Sequence, residues 1–122
     1  MLKGIHPLLH AELLHTLAAM GHGDELVIAD ANFPAASMAR RLIHTAGASA
    51  PDVLDAVLTL LPLDTFVVPA ALTMRVIDEL DREAFYARAR AAFAVVRTTD
   101  LRPYGNILLV KGVVNDYAPT AT

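Results

Sequence analysis

The sequence contains no cysteine. That excludes a disulfide framework and any thiolate metal site, and it suits a reducing cytoplasm. It has no apolar run of roughly 18 residues, the length that a membrane-spanning helix needs. Lys and Arg are few and scattered, and the formal net charge is -3, so the electrostatic footprint for nucleic acid is missing. The opening MLKGIHPLLHAELL lacks the long apolar region and small-residue cleavage site of a secretion signal. No internal repeat or low-complexity linker interrupts the chain, and it has neither a Gly-rich phosphate loop nor a nucleophile elbow. The expectation is a cytoplasmic protein with no membrane and no nucleic-acid partner.

What is present suffices for one domain, residues 1–122, with 55% hydrophobic residues to build a core. Leu13, Leu14, Leu17 and Met20 recur at helical spacing, so 11–20 reads as helix, with Gly21 as its left-handed terminus. Leu26-Val27-Ile28-Ala29 is a continuous apolar run, the pattern of a strand buried on both faces. Residues 36–44 read equally as helix or loop. Pro51-Asp52 opens a helix whose apolar stripe is Val53, Leu54, Val57, Leu58 and Leu61. Phe66-Val67-Val68 reads as a buried strand, and 72–78 as a further one. Residues 82–92 read as helix, 93–98 as strand and 107–110 as a last strand ended by Gly112. The tail after Asp116 reads as frayed or held by a neighbouring subunit. Strands alternating with helices predict an α/β domain: a mainly parallel sheet flanked by helices.

Two polar clusters could carry chemistry. Gly21-His22-Gly23-Asp24-Glu25, with Asp30 beyond it, combines a histidine that titrates near neutrality with a carboxylate at a strand end. Open α/β sheets bind ligands beyond such ends. On spacing alone, turn and cap chemistry explains these residues better. Tyr104-Gly105-Asn106 offers a hydroxyl and an amide suited to sugar hydroxyls, with a glycine that admits close approach, and alone it too is better read as a turn. His6 and His10 have the spacing of a helical metal pair, but Pro7 lies between them and no supporting ligand set follows, so no metal is expected. His15, His44 and Arg40-Arg41 read as solvated or interface residues.

Taken together, residues 20–35, Met-Gly-His-Gly-Asp-Glu-Leu-Val-Ile-Ala-Asp-Ala-Asn-Phe-Pro-Ala, resemble the leading motif of the fucose mutarotase/ribose pyranase family. Leu2-Lys3-Gly4-Ile5 resembles its N-terminus, 84–89 and 92–96 its late helix and strand, and 104–113 its closing motif. The match runs in order over most of the chain. The resemblance implies an RbsD-like α/β fold and a mutarotase that interconverts ring forms of a free monosaccharide without a cofactor. It implies His22 as the catalytic proton-transfer residue, with Asp30, Arg82, Tyr104 and Asn106 as substrate contacts. Arg82 is typical of the fucose branch, where the ribose branch tends to have histidine, so the implied sugar is L-fucose or a similar one. The resemblance also implies a homo-oligomer, commonly a decamer, with sites at subunit boundaries. One departure stands out: the stretch between Ala71 and Arg82 is shorter than the family's. A non-catalytic monosaccharide-binding oligomer, a D-ribose pyranase and a His-dependent metal hydrolase are the alternatives.

Overall fold

The computed structural model describes residues 2–66, 70–73, 82–103 and 105–114. The sequence-predicted strand residues 67–68 and 74–78, Tyr104, and the tail after Asp116 lie outside them. The elements are α1 (Ala11–Ala19), β1 (Glu25–Ala29), α2 (Ala35–Met38), β2 (Leu42–Thr45), α3 (Ala50–Leu58), β3 (Ala71–Thr73), α4 (Arg82–Ala91), β4 (Ala94–Thr98) and β5 (Ile107–Val110). The strands form one sheet in the order β2-β4-β1-β5-β3.

β1 is central, which explains its unbroken apolar run. Leu26 and Ile28 point into one core with Leu13 and Leu17 of α1 and Val53, Ala56 and Val57 of α3. Val27 and Ala29 point into the other, with Ala35 of α2 and Phe85 and Ala89 of α4. Successive strand residues alternate faces, so a strand between two helical layers must be apolar at every position.

The α/β architecture is as the sequence predicts, but the sheet is evenly mixed rather than mainly parallel. β4 pairs parallel with both β1 and β2. β5 pairs antiparallel with β1 and with β3. The reason is connection length. β4 ends at Thr98 and β5 begins at Ile107. A parallel return needs a crossover of about a dozen or more residues. The shorter link can only reverse direction, and it passes over the end of β1 to reach that strand's far side.

Three local readings change. The chain leaves α1 through Met20 in extended conformation, and the positive φ falls on Gly23 (84°) rather than Gly21. Residues 36–44 divide between α2 and β2. Phe66 lies outside any strand and is 78% exposed. α3 opens beside Pro51, as the sequence predicts. Ser49 caps α3 through its side chain, and His10 caps α1 by accepting the Leu13 N–H at 3.4 Å.

Gly112 closes the fold behind β5. Its N–H donates to Pro62 O at 2.8 Å, Leu63 bridges Lys111, and the Asp64 N–H donates to Val110 O at 3.0 Å. A Cβ on Gly112 would sit 2.5 Å from Leu63 O and 2.9 Å from the Asp64 Cα, both backbone atoms with little freedom to yield. Gly112→Ala is therefore expected to lower unfolding free energy by about 1–3 kcal/mol. Urea denaturation would show this as an earlier midpoint at unchanged slope; an unshifted midpoint would mean that the 62–64 segment moves freely.

Candidate functional site

Four of the five sequence-predicted site residues, His22, Asp30, Arg82 and Asn106, are described, and His22 does not converge with the other three within one chain. His22 stands just before β1, in the turn whose Gly23 N–H donates to Lys111 O and whose Asp24 O accepts from the Lys111 N–H, both at 2.9 Å. Its ring is about half exposed, with Nε2 3.2 Å from Asp64 Oδ1. Asp64 is buried and was not singled out from the sequence. Its carboxylate also accepts the Phe66 N–H at 3.0 Å. That backbone bond is the main cause holding its pKa below the ordinary carboxylate value. Burial opposes the shift, while His22 and the Thr65 N–H reinforce it. An ionised carboxylate only accepts, so the facing Nε2 carries a hydrogen. The Phe66 ring packs on the imidazole at 5.5 Å between centroids.

The second group sits at the other end of β1. Asp30 is 3% exposed. Its carboxylate accepts the Asn32 N–H at 2.9 Å and the Gly105 N–H at 3.2 Å. Its own N–H donates to Asn106 Oδ1 at 2.7 Å. Asn106, also buried, thereby pins the start of β5 to the end of β1. At Gly105 a Cβ would lie a tight 3.2 Å from Arg102 O and in ordinary contact, at 3.7 Å, with the Asp30 Cβ. Arg82 opens α4 with its guanidinium 5.6 Å from the Tyr86 ring. Tyr86 meets Phe33 edge-on at 5.6 Å, and the Phe33 N–H donates to Asp30 O. So Arg82, Asp30 and Asn106 share one end of the sheet. Tyr104 lies outside the described residues.

The separation can be measured along the strand. From Glu25 to Asp30 the chain advances roughly 16 Å at ~3.3 Å per residue. β5 repeats the measure in reverse, with Asn106 beside Asp30 and Lys111 beside Asp24. The His22 group and the Asp30 group therefore lie at opposite ends of β1.

Known proteins resemble this chain over most of its length. The model of the RbsD / FucU transport protein family matches residues 3–76 and 67–114. The chain belongs to this family. It is 41% identical to the fucose mutarotase of Bos taurus, over 93% of this chain and 95% of that one. It is 39% identical to an L-fucose mutarotase of Haemophilus influenzae, over 93% and 97%. The crystal structure of the fucose mutarotase from Streptococcus pneumoniae in complex with L-fucose superposes with a TM-score of 0.87 at 39% identity, covering 93% of this chain and 99% of that one. The structure of Bacillus subtilis RbsD complexed with D-ribose shares the fold at a TM-score of 0.75 and 24% identity, over 93% and 99%. The bovine alignment runs over 145 positions against a chain of 122 residues, so the relatives carry residues without counterpart here. The two matched segments of the family model overlap at 67–76, which runs into the stretch between Ala71 and Arg82 that the sequence reads as shortened.

Among the described residues no group of three or more His, Cys, Asp or Glu is placed to hold a metal. His6 Nδ1 accepts the Leu8 N–H, and His10 Nε2 faces Thr45 Oγ1 at 3.1 Å. No helix among the described residues is long and apolar enough to cross a membrane.

Asp100 supports the Asp30 end and was also unforeseen. Its O accepts the Ala31 N–H at 2.7 Å, and its carboxylate accepts the Ala50 N–H at 2.9 Å. Arg102 reaches the same carboxylate from Nε at 3.1 Å and Nη2 at 2.6 Å. The Arg102 side chain, then the Arg102 and Ala50 N–H groups, hold the Asp100 pKa far below the ordinary carboxylate range. A depressed folded-state pKa contributes stability above the unfolded value, and this is lost as pH falls through the folded one. Asp100→Asn should therefore cost about 1–3 kcal/mol at neutral pH. The gap to wild type should narrow below about pH 5. Urea midpoints at pH 7 and pH 3 measure both; an equal gap at the two values would remove Asp100 from the acid dependence.

Proposed function

We propose that this chain is a mutarotase interconverting the anomers of a free monosaccharide, L-fucose or a similar sugar. In this reading it acts as a single cytoplasmic domain within a homo-oligomer, by family resemblance a decamer. The observation that carries the reading is the His22–Asp64 pair: an imidazole with one nitrogen tied to a carboxylate and the other left for substrate. Similarity to fucose mutarotases at 39–41% identity supports the sugar class.

A cyclic sugar is a hemiacetal. Opening it requires that the anomeric hydroxyl lose a proton and the ring oxygen gain one. The aldehyde carbon then rotates and the ring closes on its other face. Atoms and electrons balance within the sugar, so no cofactor takes part. His22 Nδ1 moves the proton, and the Asp64 carboxylate stabilises the imidazolium while it lasts. General acid–base help of about 10²–10⁴-fold suffices for a reaction that water already performs slowly. Asp30, Asn106, Tyr104 and Arg82 hold the hydroxyls. Both Asp30 oxygens accept from the backbone yet keep lone pairs for a sugar hydroxyl.

Opposed half-sites require a second copy: His22 of one chain meets Asp30 of its neighbour. The surface is suited to one. An apolar groove of about 290 Å³, lined by Leu14, Leu17, Leu60, Pro62 and Val114, adjoins the His22 end. Leu60 and Val114 are 47% and 64% exposed. Contiguous exposed apolar surface of this kind marks interfaces.

The test is complementation, read by NMR exchange between sugar anomers. His22→Ala and Asp30→Asn should each be folded and inactive. Refolded as an equal mixture, they should recover about one quarter of wild-type exchange, because random neighbours rebuild one intact site in about four. Absence of recovery would break the shared-site arrangement, and normal exchange by His22→Ala alone would remove it from the chemistry. Wild type that binds sugar without speeding exchange would be a binding protein instead.

Arg82 tests the sugar. Its planar fork of donors satisfies hydroxyls that an imidazole cannot reach together. Arg82→His is expected to shift the ratio of exchange rates from L-fucose towards D-ribose by about tenfold, the worth of one buried unmet hydrogen bond. An unchanged ratio would show that Arg82 does not read the sugar.

A further inference from the structure

Phe66 is an apolar ring that the fold leaves uncovered. It is 78% exposed, among the most exposed large hydrophobic residues described, yet it is not loosely held. Its N–H donates to Asp64 Oδ1 at 3.0 Å, the same oxygen that faces His22 Nε2. Its ring lies against the imidazole at 5.5 Å with the planes tilted by 55°. One carboxylate therefore fixes the histidine and the phenyl ring together. The ring is not part of the apolar groove beside α1, whose lining residues lie on α1, the 58–62 segment and the end of β5. Exposing a phenyl face to water is unfavourable, and a ring placed beside a proton-transfer group is covered when that group's substrate is present.

We propose that Phe66 is the platform on which the sugar stacks and that it selects for 6-deoxy pyranoses of galacto configuration. The inference rests on the mutarotase reading and goes on to name the feature of the substrate that is recognised. In such a sugar the axial hydroxyl at C4 leaves the opposite ring face with C–H groups at C3, C4 and C5. The C6 methyl extends this apolar face. Stacked on the phenyl ring, the sugar directs its polar edge, ring oxygen and anomeric hydroxyl towards the imidazole. Its remaining hydroxyls turn away, towards the donors and acceptors of the neighbouring chain's Asp30 end. A pentopyranose of the same ring configuration lacks the methyl, and a hexose replaces it with a hydroxymethyl group that must keep its water.

The experiment compares anomer exchange of L-fucose, L-galactose and D-arabinose, which share ring configuration and differ only at C6. Wild type is expected to show the lowest KM for L-fucose. Phe66→Ala should raise that KM about tenfold, equivalent to about 1.4 kcal/mol, with a much smaller change in kcat. It should also bring the three KM values together. Phe66→Tyr and Phe66→Trp should keep the wild-type order. A uniform fall in kcat on all three sugars would show that Phe66 only steadies His22 and would overturn the proposal. A changed oligomer size by light scattering would overturn it in favour of a subunit contact. Wild type that fails to speed exchange of any sugar would sink the mutarotase reading itself. That outcome is distinct from an active wild type whose C6 preference survives Phe66→Ala.

Discussion

The pairing of β1 on both sides is the constraint on which the rest of the molecule depends. With β4 along one edge and β5 along the other, β1 has no free backbone and no solvent face. The link from β4 to β5 must cross its far end, and the link beyond β5 must pass its near end. Those two crossings bring Asp100, Gly105 and Asn106 to Asp30, and Lys111, Gly112 and Asp64 to the His22 turn. Neither polar group is assembled by its own local sequence. Both are by-products of how a strand in the middle of a mixed sheet is enclosed.

That explains which parts of the fold and site could be read from residues. The apolar run at 26–29 and the stripes of α1 and α3 report their own burial, because alternation and helical spacing are local properties. His22, Asp30 and Asn106 stand out through neighbouring glycines and strand ends. Asp64 and Asp100 do not. Each follows an ordinary apolar or Thr-rich stretch, and its distant partner, His22 for Asp64 and Ala50 for Asp100, lies 42 or 50 residues away. A signal for Asp64 did exist, in a buried-type aspartate placed between Leu63 and Phe66 with no turn glycine to explain it. Phe66 misleads in the opposite direction: Phe-Val-Val has the composition of a strand, but the backbone bond to Asp64 turns its first ring outward. The sheet's mixed direction was hidden for a simpler reason, since alternation of strands with helices says nothing about the one link that contains no helix.

The two polar ends also differ in kind. The Asp30 end is dense with backbone donors, and its side chains are held from several directions. Its groups have little freedom to adjust. The His22 end is half open, with Nε2 facing Asp64 and the Phe66 ring exposed. In the proposed mechanism proton transfer uses that opening, and placing the rigid and the accessible parts at opposite ends of a strand keeps them from competing for the same space.

Seen as a ruler, β1 limits where this lineage could gain or lose residues. Side chains on a strand alternate with a period of two, so one inserted residue between His22 and Asp30 would turn the remaining strand inside out. Two would preserve the faces but lengthen the gauge between the two polar groups. The interval is thus fixed in length as well as in composition. The two matched segments of the family model overlap at 67–76, well outside this interval. Insertions and deletions across the family should accordingly gather at the edge of the sheet and spare the eight steps from the histidine to the aspartate.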